Sequence, residues 1–97
     1  SETNDFPEKD QAREEAVGIL LTAFTQAKQG RAMSRTISAF WNKTRSRAPK
    51  ELVDAVEQQP QAEGTREQLN AFLKERMEKT LYFLGVLNMV ETFKTKG

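Results

Sequence analysis

The sequence predicts an all-α fold, a small bundle of three to four helices with a long C-terminal helix. Three observations predict it. Apolar residues recur at three- and four-residue spacing, as one face of a helix requires. Glycines are isolated, and prolines stand where helices begin or end. No stretch alternates apolar and polar residues with a period of two for long enough to form a strand. The 97 residues are read as one domain around one core, with flexible ends at 1–5 and 95–97.

The first helix is expected over 7–29. Asp5 is placed to cap it, Glu8 follows three residues later, and Pro7 lies in the first turn, where its missing N–H costs nothing. Ala12, Ala16, Ile19, Leu20, Ala23, Phe24 and Ala27 form its stripe, and Gly30 supplies a left-handed stop. A second helix starts near Ser34, carries Met33, Ile37, Phe40, Trp41 and Thr44 on one face, and ends before Pro49. Pro49 then opens a short third helix with Leu52, Val53 and Val56 inward, and residues 59–64 form the inter-helix loop. Thr65-Arg66-Glu67-Gln68 has the letters of a capping box. It launches an apolar period from Leu69 to Phe93.

An unbroken helix over 66–94 would span about 43 Å at 1.5 Å per residue. A compact sphere of this chain length is only about 32 Å across. The alternatives are a bend at Gly85, an elongated fold, or an overhang packed on another chain.

Composition excludes several chemistries. The chain has no histidine and no cysteine, so it has no disulfide, thiolate nucleophile, imidazole base or zinc site of the usual ligands. Its carboxylates fall at helical-surface spacing beside Lys and Arg, the pattern of exposed ion pairs. The isolated glycines build no phosphate-cradling loop. No enzyme activity, cofactor or metal is expected. No run approaches the roughly 20 apolar residues of a membrane span, and the polar, acidic start has neither the order of a secretion signal nor an Arg-rich organellar look. A soluble, cytoplasmic protein is expected, with an organellar lumen or stroma after precursor processing left open.

The net charge of +1 conceals a segregated pattern. Residues 1–27 hold six acids and two bases, residues 28–50 hold seven bases and no acid, and residues 51–97 hold eight acids and six bases. At about 100° per residue, Arg31, Arg35, Ser38, Asn42 and Arg45 share the side opposite the Met33/Ile37/Phe40 stripe. Lys43, Arg47 and Lys50 flank them. Arginine's planar fork suits carboxylate or phosphate. The segment fits an acidic protein partner or, as second choice, a nucleic-acid backbone. It also fits a solvated face neutralised by Glu14 and Glu15.

Met33-Ser34-Arg35-Thr36-Ile37-Ser38, followed by Trp41 and Arg45-Ser46-Arg47-Ala48-Pro49, locally resembles the recognition-helix region of phage-repressor-type helix-turn-helix domains, with Thr25-Gln26 and Gly30 upstream. The spacing from Thr25 to Ile37 is shorter than in that family, and Arg31 follows the glycine. The resemblance covers about twenty residues, brings no base-reading residue with it, and counts only toward the nucleic-acid alternative.

Two apolar features complete the candidates. Trp41, at the edge of the second helix's stripe, is placed either to close the core or to anchor a partner. In the last helix a stripe of Leu69, Leu73, Met77, Leu84 and Leu87 is joined, from Tyr82 on, by a second one on nearly the opposite side: Tyr82, Val86, Met89 and Phe93. That face is expected either to be central in the bundle or to meet another chain. The reading is therefore a non-enzymatic helical adaptor or regulatory protein. Arg31, Arg35, Trp41, Lys43, Arg45, Arg47 and Lys50 are its partner- or anion-binding candidates. Tyr82, Val86, Met89 and Phe93 are its face for a homodimer or a partner.

Overall fold

The computed structural model describes residues 7–96, and over these the chain consists of helices and short connections. There are five helices: α1 (Pro7–Lys28), α2 (Arg35–Arg45), α3 (Lys50–Gln58), α4 (Glu63–Arg76) and α5 (Thr80–Lys96). The all-α expectation holds, but three to four helices become five because the long C-terminal helix is two. Residues 95 and 96, expected as a flexible tail, continue α5. Asp5 and the segment 1–5 lie outside the described residues, as does Gly97.

The central helix is α1, not the C-terminal helix, and it packs against all four others. Ala12, Ala16, Val17, Ile19, Leu20, Leu21 and Ala23 are all buried, so α1 is apolar over far more than one stripe, the composition of a helix covered on several sides. Glu8 and Asp10 in its first turn and Lys28 in its last complement the helix dipole. Gly30, at φ 92°, ends it. The Arg31 N–H reaches Gln26 O at 3.0 Å and the Gly30 N–H reaches Ala27 O at 3.0 Å, the paired bonds of a Schellman stop.

Ser34 caps α2 as expected, its Oγ accepting the Ile37 N–H at 3.1 Å. Ile37, Phe40, Trp41 and Thr44 are buried beneath it. Pro49 precedes α3 at the cap position, and Leu52, Val53 and Val56 point inward. The capping box at Thr65 does not form. α4 begins at Glu63, and Thr65 is buried in its first turn.

The break between α4 and α5 falls at Met77–Lys79, without glycine or proline. Gly85, the expected bend, lies inside α5. The Met77 N–H still bonds Leu73 O at 2.8 Å, the Lys79 N–H turns back to Arg76 O at 3.0 Å, and Lys79 O accepts the Phe83 N–H to start α5. Tertiary packing dictates the place. Leu69 and Leu73 on α4 and Met77 at its C-cap are buried, and the next buried residues are Val86, Met89 and Val90. From Met77 to Val86 a continuous helix turns about 900°, half a turn out of phase. Straight, it would leave one set in water at about 2 kcal/mol per large side chain. Broken, both sets reach α1. The molecule then measures 41 × 30 × 21 Å.

This packing corrects the expected self-association face. Val86 is 0% and Met89 1% exposed in the chain's own core, and Tyr82 packs against that core at α2. Only Phe93 is exposed. Outside, α5 instead shows Leu81 and Leu84, 84% and 51% exposed.

Candidate functional site: a cationic cleft at the elbow

The basic segment is divided by the fold. Trp41 is 2% exposed and belongs to the core. Its ring meets Phe24 edge-on at 5.6 Å, and its indole N–H donates to Glu57 Oε2 at 2.8 Å. The same oxygen accepts from Arg45 Nε at 3.0 Å, so α3 neutralises Arg45 and satisfies Trp41 together. Lys50 is paired with Asp54 one turn along α3, at 2.8 Å. That hydrogen-bonded carboxylate raises the Lys50 pKa above its ordinary value. These three candidates are therefore structural or already paired. Among the described residues no ion pair joins an acid of α1 to the segment, and Glu15 is bonded to Lys94 of α5 at 3.5 Å.

Arg31 and Arg35 are exposed at the N-terminal end of α2. Lys43 and Arg47 stand at the other end, on a second surface, where α2 meets the elbow between α4 and α5. They line a cleft of ≈ 470 Å³, whose opposite wall is Arg76, Lys79, Leu81 and Tyr82. No carboxylate lies within salt-bridge distance of any of the four cations among the described residues. Glu75 and Glu78 are absent from this lining. They share an adjoining depression with Phe72 and with Arg47, Arg76 and Lys79, so two carboxylates stand near three of the four cations without an ion pair to them among the described residues.

The cleft floor is a hydroxyl pair. Thr44 Oγ1 and Tyr82 Oη are 2.9 Å apart, and Phe40 lies beside the phenol at 5.7 Å. Burial pushes the Tyr82 pKa up to about 12, against the opposing effects of the Thr44 bond and Arg76. The Arg76 guanidinium lies over the Tyr82 ring, 5.3 Å from its centroid, which orients one cation of the wall. In such a pair one hydroxyl donates and the other accepts, so the acceptor keeps its own hydrogen for another partner.

Of the expected binding residues, the fold thus assembles Lys43 and Arg47, leaves Arg31 and Arg35 apart, and withdraws Trp41, Arg45 and Lys50. Arg76 and Lys79 were not anticipated, because a straight last helix would carry them past α2. The legible signal is the change of apolar side between Met77 and Tyr82, which marks a break flanked by Arg76 and containing Lys79. Among the described residues no three metal-ligating side chains cluster, and no helix is long and apolar enough to cross a membrane. Neither family models nor curated proteins nor solved structures give a match to this chain.

Proposed function

We propose that the chain is a non-enzymatic helical adaptor or regulatory module that docks an acidic segment of a protein partner in the elbow cleft. One observation carries this reading: Lys43 of α2, Arg47 just after it, Arg76 of α4 and Lys79 of the elbow line one concavity with no carboxylate in its lining and none within salt-bridge distance among the described residues. Like charges held together cost stability unless a counter-charge arrives, and a carboxylate-rich segment supplies it through charge-assisted hydrogen bonds.

The nucleic-acid alternative draws on Arg31 and Arg35. Those side chains lie at the other end of α2, about 15 Å from its C-terminus, and Arg45 and Lys50 between and beyond are paired. A phosphate backbone is tracked by a continuous run of free cations, which favours the protein reading. A homodimer would draw on the exposed apolar residues Leu81, Leu84 and Phe93 of α5. Sedimentation of the wild type tests that arm, and a monomer at high concentration removes it.

The principal test is fluorescence anisotropy with a labelled oligoglutamate peptide. Binding should weaken as salt rises and fall at least about tenfold in Lys43→Glu/Arg47→Glu. Absence of binding at low salt overturns the docking reading. Retardation of an oligonucleotide with higher affinity than the peptide, lost in Arg31→Glu/Arg35→Glu, would put the alternative in its place.

A further inference from the structure

We infer that the elbow cleft is selective for a phosphorylated serine or threonine of the partner, with an apolar residue beside it, over ordinary carboxylates. The inference rests on the docking reading and names its ligand.

Charge count comes first. A carboxylate brings one negative charge, whereas a phosphomonoester carries about −1.5 to −2 at neutral pH with three strong acceptor oxygens. Lys43, Arg47, Arg76 and Lys79 line one concavity and form no ion pair among the described residues, the carboxylates of Glu75 and Glu78 lying in the depression beside it. A dianion offsets more of the cations' charge in the volume of a single side chain. The two guanidinium forks also match tetrahedral oxyanions with paired N–H donors.

Donor supply points the same way. Beyond the four cations, the acceptor of the Thr44–Tyr82 pair retains a hydroxyl hydrogen at the cleft. The wall that carries Leu81 and Tyr82 is the first turn of α5, a helix of 17 residues. The backbone N–H groups of Leu81 and Tyr82 have no acceptor among the described residues, whereas that of Phe83 is taken by Lys79 O. Unpaired first-turn N–H groups and the positive end of the dipole favour an anion here, and they add to the side-chain cluster rather than replace it.

The apolar neighbour is read from Leu81. It is 84% exposed, the most exposed large hydrophobic residue described, and it sits on the rim of this same cleft. An apolar side chain adjacent to the phosphorylated residue would cover it. Size argues against an extended polyanion, because ≈ 470 Å³ accommodates a side chain and its flank rather than a duplex.

The test uses the full chain and three labelled peptides of otherwise uncharged sequence, each with leucine next to the central residue: phosphoserine, glutamate or serine. The expected order is phosphoserine tighter than glutamate by about tenfold or more, with serine weakest. Arg47→Gln/Lys79→Gln should reduce phosphopeptide affinity by about tenfold or more, and Arg31→Gln/Arg35→Gln should leave it unchanged. Circular dichroism checks that both variants stay helical, and the comparison among peptides on the wild type stands without them. Equal binding of phosphoserine and glutamate peptides overturns phosphate selectivity and leaves acidic docking intact. Binding of neither at low salt overturns both. An oligonucleotide held more tightly than the phosphopeptide, and weakened by Arg47→Gln/Lys79→Gln, assigns the cleft to nucleic acid and overturns the inference.

Discussion

Two reversals of the chain, at Gly30 and at Met77–Lys79, do the same geometric work by different physics. The first is local. A glycine at φ 92° closes α1 with two backbone bonds, and a Cβ there would meet nothing within 4 Å. Its only demand is a backbone conformation that side chains disfavour. The second has no special residue and no positive φ. It exists because Met77 is buried and the residues after it must return to α1. Turns of the first kind are written in one letter. Those of the second kind are written in the phase of residues a dozen positions apart, and the candidate site lies on a turn of that second kind.

The contrast predicts unequal responses to substitution, and the larger lies at the elbow. Met77→Ala removes a side chain only 2% exposed and should cost about 2–5 kcal/mol, the range for buried Met in well-packed cores. Gly30→Ala introduces strain and no clash, and should cost about 1–2 kcal/mol. Urea denaturation of the two variants measures both. A Gly30 variant less stable than the Met77 variant would reverse the assignment of local and tertiary control.

The same contrast explains what could be read from the sequence. The Gly30 stop, the Ser34 cap and the inward faces of α2 and α3 follow from letters at short range, and they form as expected. The spine and the break do not. The 3-4 spacing in α1 predicts a one-sided stripe, although Val17 and Leu21, buried beside Leu20, widen it to a central helix. No breaker stands at Met77 to suggest an interruption, yet the move of apolar residues to the Tyr82/Val86/Met89 side is at odds with a single straight helix. Charge was legible as a block but not as a surface. Nothing near Arg45 or Lys50 says that Glu57 and Asp54 will take them, whereas Lys43 and Arg47 gain Arg76 and Lys79 only through the elbow.

A second prediction concerns the latch between the elbow and α2. Tyr82 is the sole tyrosine, so phenolate absorbance reports on it alone. Its pKa in the fold is about 12, against about 10 in an unfolded chain. Between these values the folded state holds a proton that the unfolded state has lost. Stability from this group is therefore intact below about pH 10 and falls as pH rises through 12, by about 3 kcal/mol in all. Comparing the wild type with Tyr82→Phe at pH 9 and pH 11.5 isolates the effect from lysine titration. An equal alkaline loss in both proteins would remove the latch. The Gly30 turn has no such group and should show no matching sensitivity.

The smallest expected effect separates cations that hold the fold from cations left for a ligand. Arg45 shares Glu57 with the Trp41 indole, so Arg45→Gln should lose about 0.5–1 kcal/mol, the upper range for a partly exposed pair. Arg47, two residues further and lining the cleft, forms no ion pair among the described residues. Arg47→Gln should leave stability within about 0.5 kcal/mol, and any change should be a gain, because it relieves repulsion from Lys43, Arg76 and Lys79. That gain should shrink as salt rises, since exposed charges separated by more than about 8–10 Å are screened at moderate ionic strength. A loss at Arg47 equal to that at Arg45 would mean that the cleft is an internal electrostatic support. Stability neutrality joined to a loss of anion binding is the signature of a residue kept exposed for a partner.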